Sequence, residues 1–170
     1  FHAITQLKVA VVGDVMLDTY WWGNVDRISP EAPVPVVAVT KKEQRIGGAG
    51  NVALNIASLG ATVHMLSVLG KDEDGEQLTG LLQQNNINTQ YLVQSEERIT
   101  TNKIRIISRN QHMMRLDAEM AIDMDAADED RLLYAVENYM AAEAPHIVIL
   151  EDYNKGVLTE NVIKRIIALC

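Results

Sequence analysis

Three short runs of unbroken apolar character, residues 8–12 (KVAVV), 63–69 and 146–150 (HIVIL), constrain the fold of this chain more than any other feature. A strand with one wet face alternates apolar and polar residues. A strand without alternation is buried on both faces, which is the environment of a parallel sheet covered by helices. Helical patterns separate these runs. One follows the glycine cluster Gly47, Gly48 and Gly50, carries Val52, Ile56 and Leu59 on one face, and is closed by Gly60. Others are expected at 76–84, with Leu78, Leu81 and Leu82, at 129–142, and from about Thr159. Weaker strands are expected near 90–93, 100–108 and 112–117. The alternation predicts a doubly wound, mostly parallel α/β sheet.

Residues 20–35 break this rhythm. Tyr20, Trp21 and Trp22 precede Pro30, Pro33 and Pro35, and three prolines so close together forbid a helix and permit only edge strands or extended segments. With a strand at 34–40, this reads as a small β excursion over about 20–40. The adjacent tryptophans are expected on opposite faces of it, one covering a ligand or a partner surface.

Charge and cysteine content narrow the function classes. Fifteen Lys and Arg against twenty-three Asp and Glu leave a net charge of −8, the wrong sign for holding nucleic acid through its phosphates. A single cysteine, Cys170, supports neither an internal disulfide nor a zinc cluster, and a reducing cytoplasmic setting is expected. No stretch reaches the roughly 18 apolar residues of a membrane span. The chain opens on Phe1 and closes on an uncapped apolar run, so it is expected to be part of a longer polypeptide. Four histidines (His2, His64, His112, His146) share no metal-ligand spacing and read as structural, and seven methionines read as core filler.

Ligands of open α/β sheets bind beyond the carboxyl ends of the strands. Asp14 and Asp18 follow the first strand, and Asp152 and Lys155 follow the last, in Glu151-Asp152-Tyr153-Asn154-Lys155-Gly156. Paired carboxylates accept hydrogen bonds from adjacent sugar hydroxyls; the alternative is that Asp14 caps a turn and Asp18 is solvated. Gly47 and Gly48 let backbone approach a ligand at a helix start, and Asn51 offers a donor and an acceptor. The cluster is neither a Walker loop nor a dinucleotide fingerprint. Strand alternation puts Lys103, Arg105 and, with unbroken regularity, Arg109 on one face, suited to a phosphate. The alternative is pairing with the seven acids of residues 117–130.

The segment from Gly47 through Ala53, followed by Gly60 and Gly70, resembles the first signature of the ribokinase-like (PfkB) carbohydrate kinases, and the resemblance covers essentially all 170 residues. The 20–40 excursion resembles that family's β lid. Within the family, Gly13-Asp14-Val15-Met16-Leu17-Asp18, Arg27-Ile28-Ser29-Pro30-Glu31-Ala32-Pro33-Val34-Pro35-Val36, Ser108-Arg109-Asn110-Gln111 and Asp152-Tyr153-Asn154-Lys155-Gly156 are similar to the kinases of D-glycero-D-manno-heptose 7-phosphate. The resemblance implies that Asp14, Asp18, Gly47, Gly48 and Asn51 hold a heptose, and that Lys103, Arg105, Arg109 and Lys155 are candidates for its 7-phosphate. It implies ATP and Mg2+ as cofactors, transfer to C1 on the route to ADP-heptose and the lipopolysaccharide core, and pairing of two copies through the lid. The family's second signature, Gly-Ala-Gly-Asp with the catalytic base, and its magnesium-associated N-x-x-E are absent. Residues 1–170 are therefore expected to be the N-terminal part of one kinase domain, inactive alone, without the catalytic base and most of the ATP site. The rivals are a kinase for another sugar, sugar phosphate or nucleoside, and a non-catalytic sugar-binding module.

Overall fold

A computed structural model describes residues 4–170, and in it the apolar runs become strands of one parallel sheet. After a 3-10 turn at Ile4–Gln6 the order is β1 (Lys8–Gly13), β2 (Val15–Ile28), β3 (Pro35–Gly48), α1 (Ala49–Ser58), β4 (Thr62–Leu66), β5 (Val68–Gly70), α2 (Glu73–Gln84), β6 (Ile87–Asn88), β7 (Val93–Ser95), β8 (Asn102–Ser108), β9 (Gln111–Ala118), α3 (Ala126–Glu143), β10 (Ile147–Glu151) and α4 (Glu160–Leu169). The central sheet runs β10-β1-β4-β6, all parallel. Val9, Val11, Val63 and Met65 pack against Ala49 and Ala53 of α1 and Leu78 and Leu82 of α2. From the other face, Ala10, Val12 and Leu66 meet Leu132, Val136 and Tyr139 of α3 and Val162 and Ile166 of α4. Helices therefore cover both faces, as the unbroken apolar strands require. Each fully buried leucine of these layers contributes about 1.5–3 kcal/mol.

Side-chain caps fix where the helices start. Asp72, Asp125 and Thr159 accept from the N–H groups of Gly75, Asp128 and Val162 at 2.8, 2.8 and 3.1 Å. Asp125 supplies one of these caps, so α3 begins at Ala126, earlier than the expected 129. The run at 63–69 is not one strand. Ser67 donates its hydroxyl to the Gly13 carbonyl at 2.6 Å, and beyond it β5 leaves the sheet to pair with β7. Residues 90–91 form a turn, so the strand expected at 90–93 is instead β7.

The lid is larger than 20–40. Its sheet, ordered β3-β2-β8-β9, starts at Val15 and takes in 15–48 and 102–118. Near its start β2 alternates, with Leu17 and Thr19 buried and Asp18 and Tyr20 half-buried, because the sheet there shows a different environment on each face. Pro30 and Pro33 sit in the β2–β3 connection and Pro35 opens β3. Met16, Met65 and Met124 fill the core, but Met113 and Met114 are exposed on β9. Among the described residues, no helix is long and apolar enough to cross a membrane. His2 lies outside the described residues.

His64 is buried against Tyr91 and Tyr139, with ring centroids 6.0 and 4.9 Å away. Its Nδ1 and the Tyr139 hydroxyl have no hydrogen-bond partner among the described residues. Burial holds the His64 imidazole below its ordinary 6.5 and pushes the Tyr139 phenol up to about 12. His146 accepts from the Lys8 N–H at 3.0 Å, and His112 is exposed on β9. Below about pH 6.5 the unfolded chain protonates His64 and the folded one does not, so stability falls with falling pH until the lowered folded pKa is passed. The thermal midpoint should therefore decline between pH 7.5 and 5.5, and His64→Phe should flatten that decline. An unchanged slope in the variant would assign the effect elsewhere.

Candidate functional site

The site is built where β1, β2, β3 and the segment after β10 converge. Asp14, the one residue between β1 and β2, is 1% exposed. Its Oδ2 accepts from the N–H groups of Tyr153 and Lys155 at 2.8 and 3.1 Å, and its Oδ1 from Val157 at 3.1 Å. Its carbonyl accepts from the Ala49 N–H at 2.9 Å. One residue thus ties the start of α1 to the loop after β10. Gly48, at φ 57, is required here, because a Cβ would strike the Asp14 carbonyl oxygen. A Cβ at Gly47 would lie 2.6 Å from Asp18 Oδ2 and 2.9 Å from Met16 Cγ, so a larger residue there would push the Asp18 carboxylate from its place.

Beside this turn opens a cleft of about 460 Å3. Six sequence-predicted residues line it: Asp18, Gly47, Gly48, Asn51, Lys103 and Arg105. Asp18 lies opposite Arg45 of β3 and Lys103 of β8. Arg105 Nη1 donates to Asp18 Oδ1 at 2.5 Å and to the Lys103 carbonyl at 3.2 Å. Lys103 reaches Asp117 at 3.2 Å and Glu119 at 3.0 Å, and Lys155 reaches Glu119 at 3.1 Å. Hydrogen bonding from Lys103, supported by Lys155, holds Glu119 below the usual carboxylate range, and Arg115 with Lys103 does the same for Asp117. Lys103 therefore both lines the cleft and pairs with the acids of 117–130, while Arg105 lines it and pairs with Asp18. The cleft can offer a carboxylate to hydroxyl groups and cations to an anion at the same time.

Three of the expected residues stand apart from the cleft lining. Asp14 does not line the cleft; all its recorded bonds hold backbone. Asp152 caps the Asn154 N–H at 2.7 Å and also lies outside the lining. Arg109 sits at φ 48 in the β8–β9 turn, 3.7 Å from Asp26, because β8 ends at Ser108 and the alternation ends with it. Lys155 stands at the rim through Glu119.

Arg45, Tyr20, Met16, Ile46 and Tyr153 line the cleft and were not singled out for it. The signal was available. Met16, Asp18 and Tyr20 keep a period of two, and Arg45 precedes Gly47 by two on the same strand. The tryptophans do face opposite sides. Trp22 stacks on Tyr20 at 5.5 Å beneath Lys41, while Trp21 lies under Lys42 on the other face. That face holds a second concavity of about 440 Å3 against α2, where Asp74 and Glu73 accept from Asn102 and Gln77.

Comparisons with known proteins agree with this arrangement. A family model described as the pfkB family carbohydrate kinase matches residues 6–166. The bifunctional protein HldE of Syntrophotalea carbinolica is 42% identical over 166 residues, 98% of this chain and 34% of that protein. The D-beta-D-heptose 7-phosphate kinase of Bordetella bronchiseptica is 47% identical over 155 residues, 91% of this chain and 48% of that protein. The chain thus spans between a third and a half of these relatives' length. A carbohydrate kinase from Agrobacterium tumefaciens superposes with a TM-score of 0.70 at 19% identity, over 96% of this chain and 50% of the other. The tetrameric inhibited form of phosphofructokinase-2 from Escherichia coli gives 0.70 at 18%, over 96% and 51%. At these identities the structures speak for the fold alone.

Proposed function

The chain belongs to the pfkB family of carbohydrate kinases, and on that premise we propose that it forms the sugar-binding part of an ATP-dependent D-glycero-D-manno-heptose 7-phosphate kinase. The observation that carries the reading is one lid face on which Asp18 stands among Arg45, Lys103 and Arg105, beside the turn at Gly47 and Gly48. A neutral sugar asks for hydroxyl acceptors such as Asp18, and only a sugar already carrying an anion gives so many cations a purpose. The names of the two relatives point the same way.

The reaction is transfer of the γ-phosphate of ATP to the C1 hydroxyl. Within the chain, Asp18 and Asn51 orient the sugar and the lid excludes water from it. No Gly-Ala-Gly-Asp and no N-x-x-E occurs in the sequence. We therefore assign the proton acceptor, most ATP contacts and Mg2+ to sequence outside these residues, and residues 1–170 to the N-terminal part of one kinase domain. The setting is the cytoplasm. A homodimer forms through the lid face opposite the cleft, where Met114 and Leu116 are exposed. Sedimentation of the full-length protein reads that association directly, and a monomer at micromolar concentration refutes it.

The deciding experiment is ATP-dependent ADP release by the full-length protein offered heptose 7-phosphate, fructose 6-phosphate, ribose and adenosine side by side. Turnover confined to the heptose phosphate is expected. Turnover on another sugar keeps the family and discards the substrate, and silence on all four favours a non-catalytic sugar-binding module.

A further inference from the structure

The cleft is bordered by four cations, and a sugar phosphate needs only some of them. We infer that Arg45 and Arg105, set against the Tyr20 ring, grip the phosphate of the sugar, while Lys103 and Lys155 serve as a latch between lid and body. The inference rests on the reading of the cleft as a sugar phosphate site.

The decision turns on which cation can leave its present partner. The side chains of Lys103 and Lys155 are only 16% and 17% exposed, and both donate to Glu119. Lys103 is also held by Asp117. A phosphate arriving there would displace pairs partly withdrawn from water and would lie beside two ionised carboxylates. Glu119 follows β9 of the lid and Lys155 follows β10 of the central sheet, so their bond spans the junction between the two.

Arg45 is differently placed. Its side chain is 57% exposed, and its recorded ion pair is with Glu43, two residues away on the same strand, 29% exposed and also held by Lys41. Such a pair is exchanged at little cost. Arg105 is 20% exposed and paired with Asp18, but its recorded bonds all use Nη1, toward Asp18 and the Lys103 carbonyl, so it can offer Nε and Nη2 to an incoming oxygen without leaving that partner. Both guanidinium carbons lie over Tyr20, at 4.8 and 5.2 Å from its ring centroid. Arg45 comes from β3 and Arg105 from β8, the two neighbours of β2, so the ring pre-sets two planar forks from opposite sides.

The order along β2 fits one ligand orientation. From the glycine turn outward come Asp18 and then Tyr20, about 7 Å further on. A sugar whose hydroxyls meet Asp18 thereby directs its phosphate toward the outer lid and its opposite end toward the turn.

The test is calorimetric titration of the full-length protein with heptose 7-phosphate and with heptose, repeated with fructose 6-phosphate and fructose. The measured quantity is the ratio of the two dissociation constants in each pair. Arg45→Ala should weaken the phosphorylated sugar about 10- to 100-fold, the loss of a charge-assisted bidentate contact, and the plain sugar less than about threefold. Arg45→Lys should recover only part of the loss, and Tyr20→Leu should lower the ratio as well. Lys155→Ala should keep the ratio, and Lys41→Ala, on the same strand as Arg45, controls for lid charge.

A ratio unchanged in Arg45→Ala overturns the proposal. So does a ratio that collapses in Lys155→Ala, or a wild-type protein that binds neither phosphorylated sugar. A wild-type preference for fructose 6-phosphate over heptose 7-phosphate sinks the substrate reading, and the Arg45 ratio measured on the fructose pair still decides the clamp. Unfolding curves of each variant separate a lost contact from a lost fold.

Discussion

Asp14→Ala should destabilise the protein by about 3–5 kcal/mol, the largest loss expected from a single side chain near the cleft. The carboxylate has no solvent-facing role to lose. It is 1% exposed and accepts from the N–H groups of Tyr153, Lys155 and Val157. Alanine leaves three donors without an acceptor, each costing roughly 1–3 kcal/mol when kept from water, partly relieved where water enters. Asp14→Asn should lie between, since an amide keeps one oxygen for two of the donors but turns an NH2 group toward the third. Urea unfolding of the two variants against wild type measures both. A loss below about 1 kcal/mol in the alanine variant would mean that the loop after β10 is held by other contacts.

Asp18→Ala should act on function instead. The side chain lines the cleft, and its one recorded hydrogen bond is from Arg105 at 2.5 Å, so free lone pairs remain for hydroxyl groups. Two hydrogen bonds to a charged acceptor, each about 1.5–3 kcal/mol, set the expected fall in kcat/KM for the sugar at about 10²- to 10⁴-fold. Asp18→Asn should fall less, because it keeps one acceptor. Folding stability should stay within about 1 kcal/mol, since the released guanidinium can reach water. A fall below tenfold in the alanine variant would remove Asp18 from the sugar site.

These two aspartates, four residues apart, show where sequence reasoning reaches and where it stops. The central sheet and its helices were legible because unbroken apolar strands and 3.6-residue periodicity depend on local pattern alone. The shared face of Lys103 and Arg105 was legible for the same reason, since alternation on a strand decides which face a residue takes, and Asp18 was marked by its place after the first strand. The role of Asp14 was not, because its partners lie 139 to 143 residues further along and are backbone groups without identity in sequence. Arg109 leaves the alternation because β8 ends at Ser108 and the turn to β9 begins there, a boundary that a period of two does not mark. Arg45 passed as an ordinary charge on a polar strand; only the pairing of β2 with β3 sets it opposite Asp18.

The lid joins the body without slack along one edge. A single residue separates β1 from β2, and β3 passes into α1 with none between, whereas β8 and β9 are reached through residues 96–101 and 119–125. A flap on a flexible hinge swings as a rigid plate and carries every residue with it. A sheet clamped along β2 and β3 behaves as a cantilever: it bends and twists, and displacement grows with distance from the root. Asp18 and Gly47, at the root, keep their places relative to the central sheet through any opening stroke. Ile28 and Val34, at the far end, travel furthest. Positional accuracy is thus graded along the lid, finest where sugar hydroxyls would be held and coarsest at the tip.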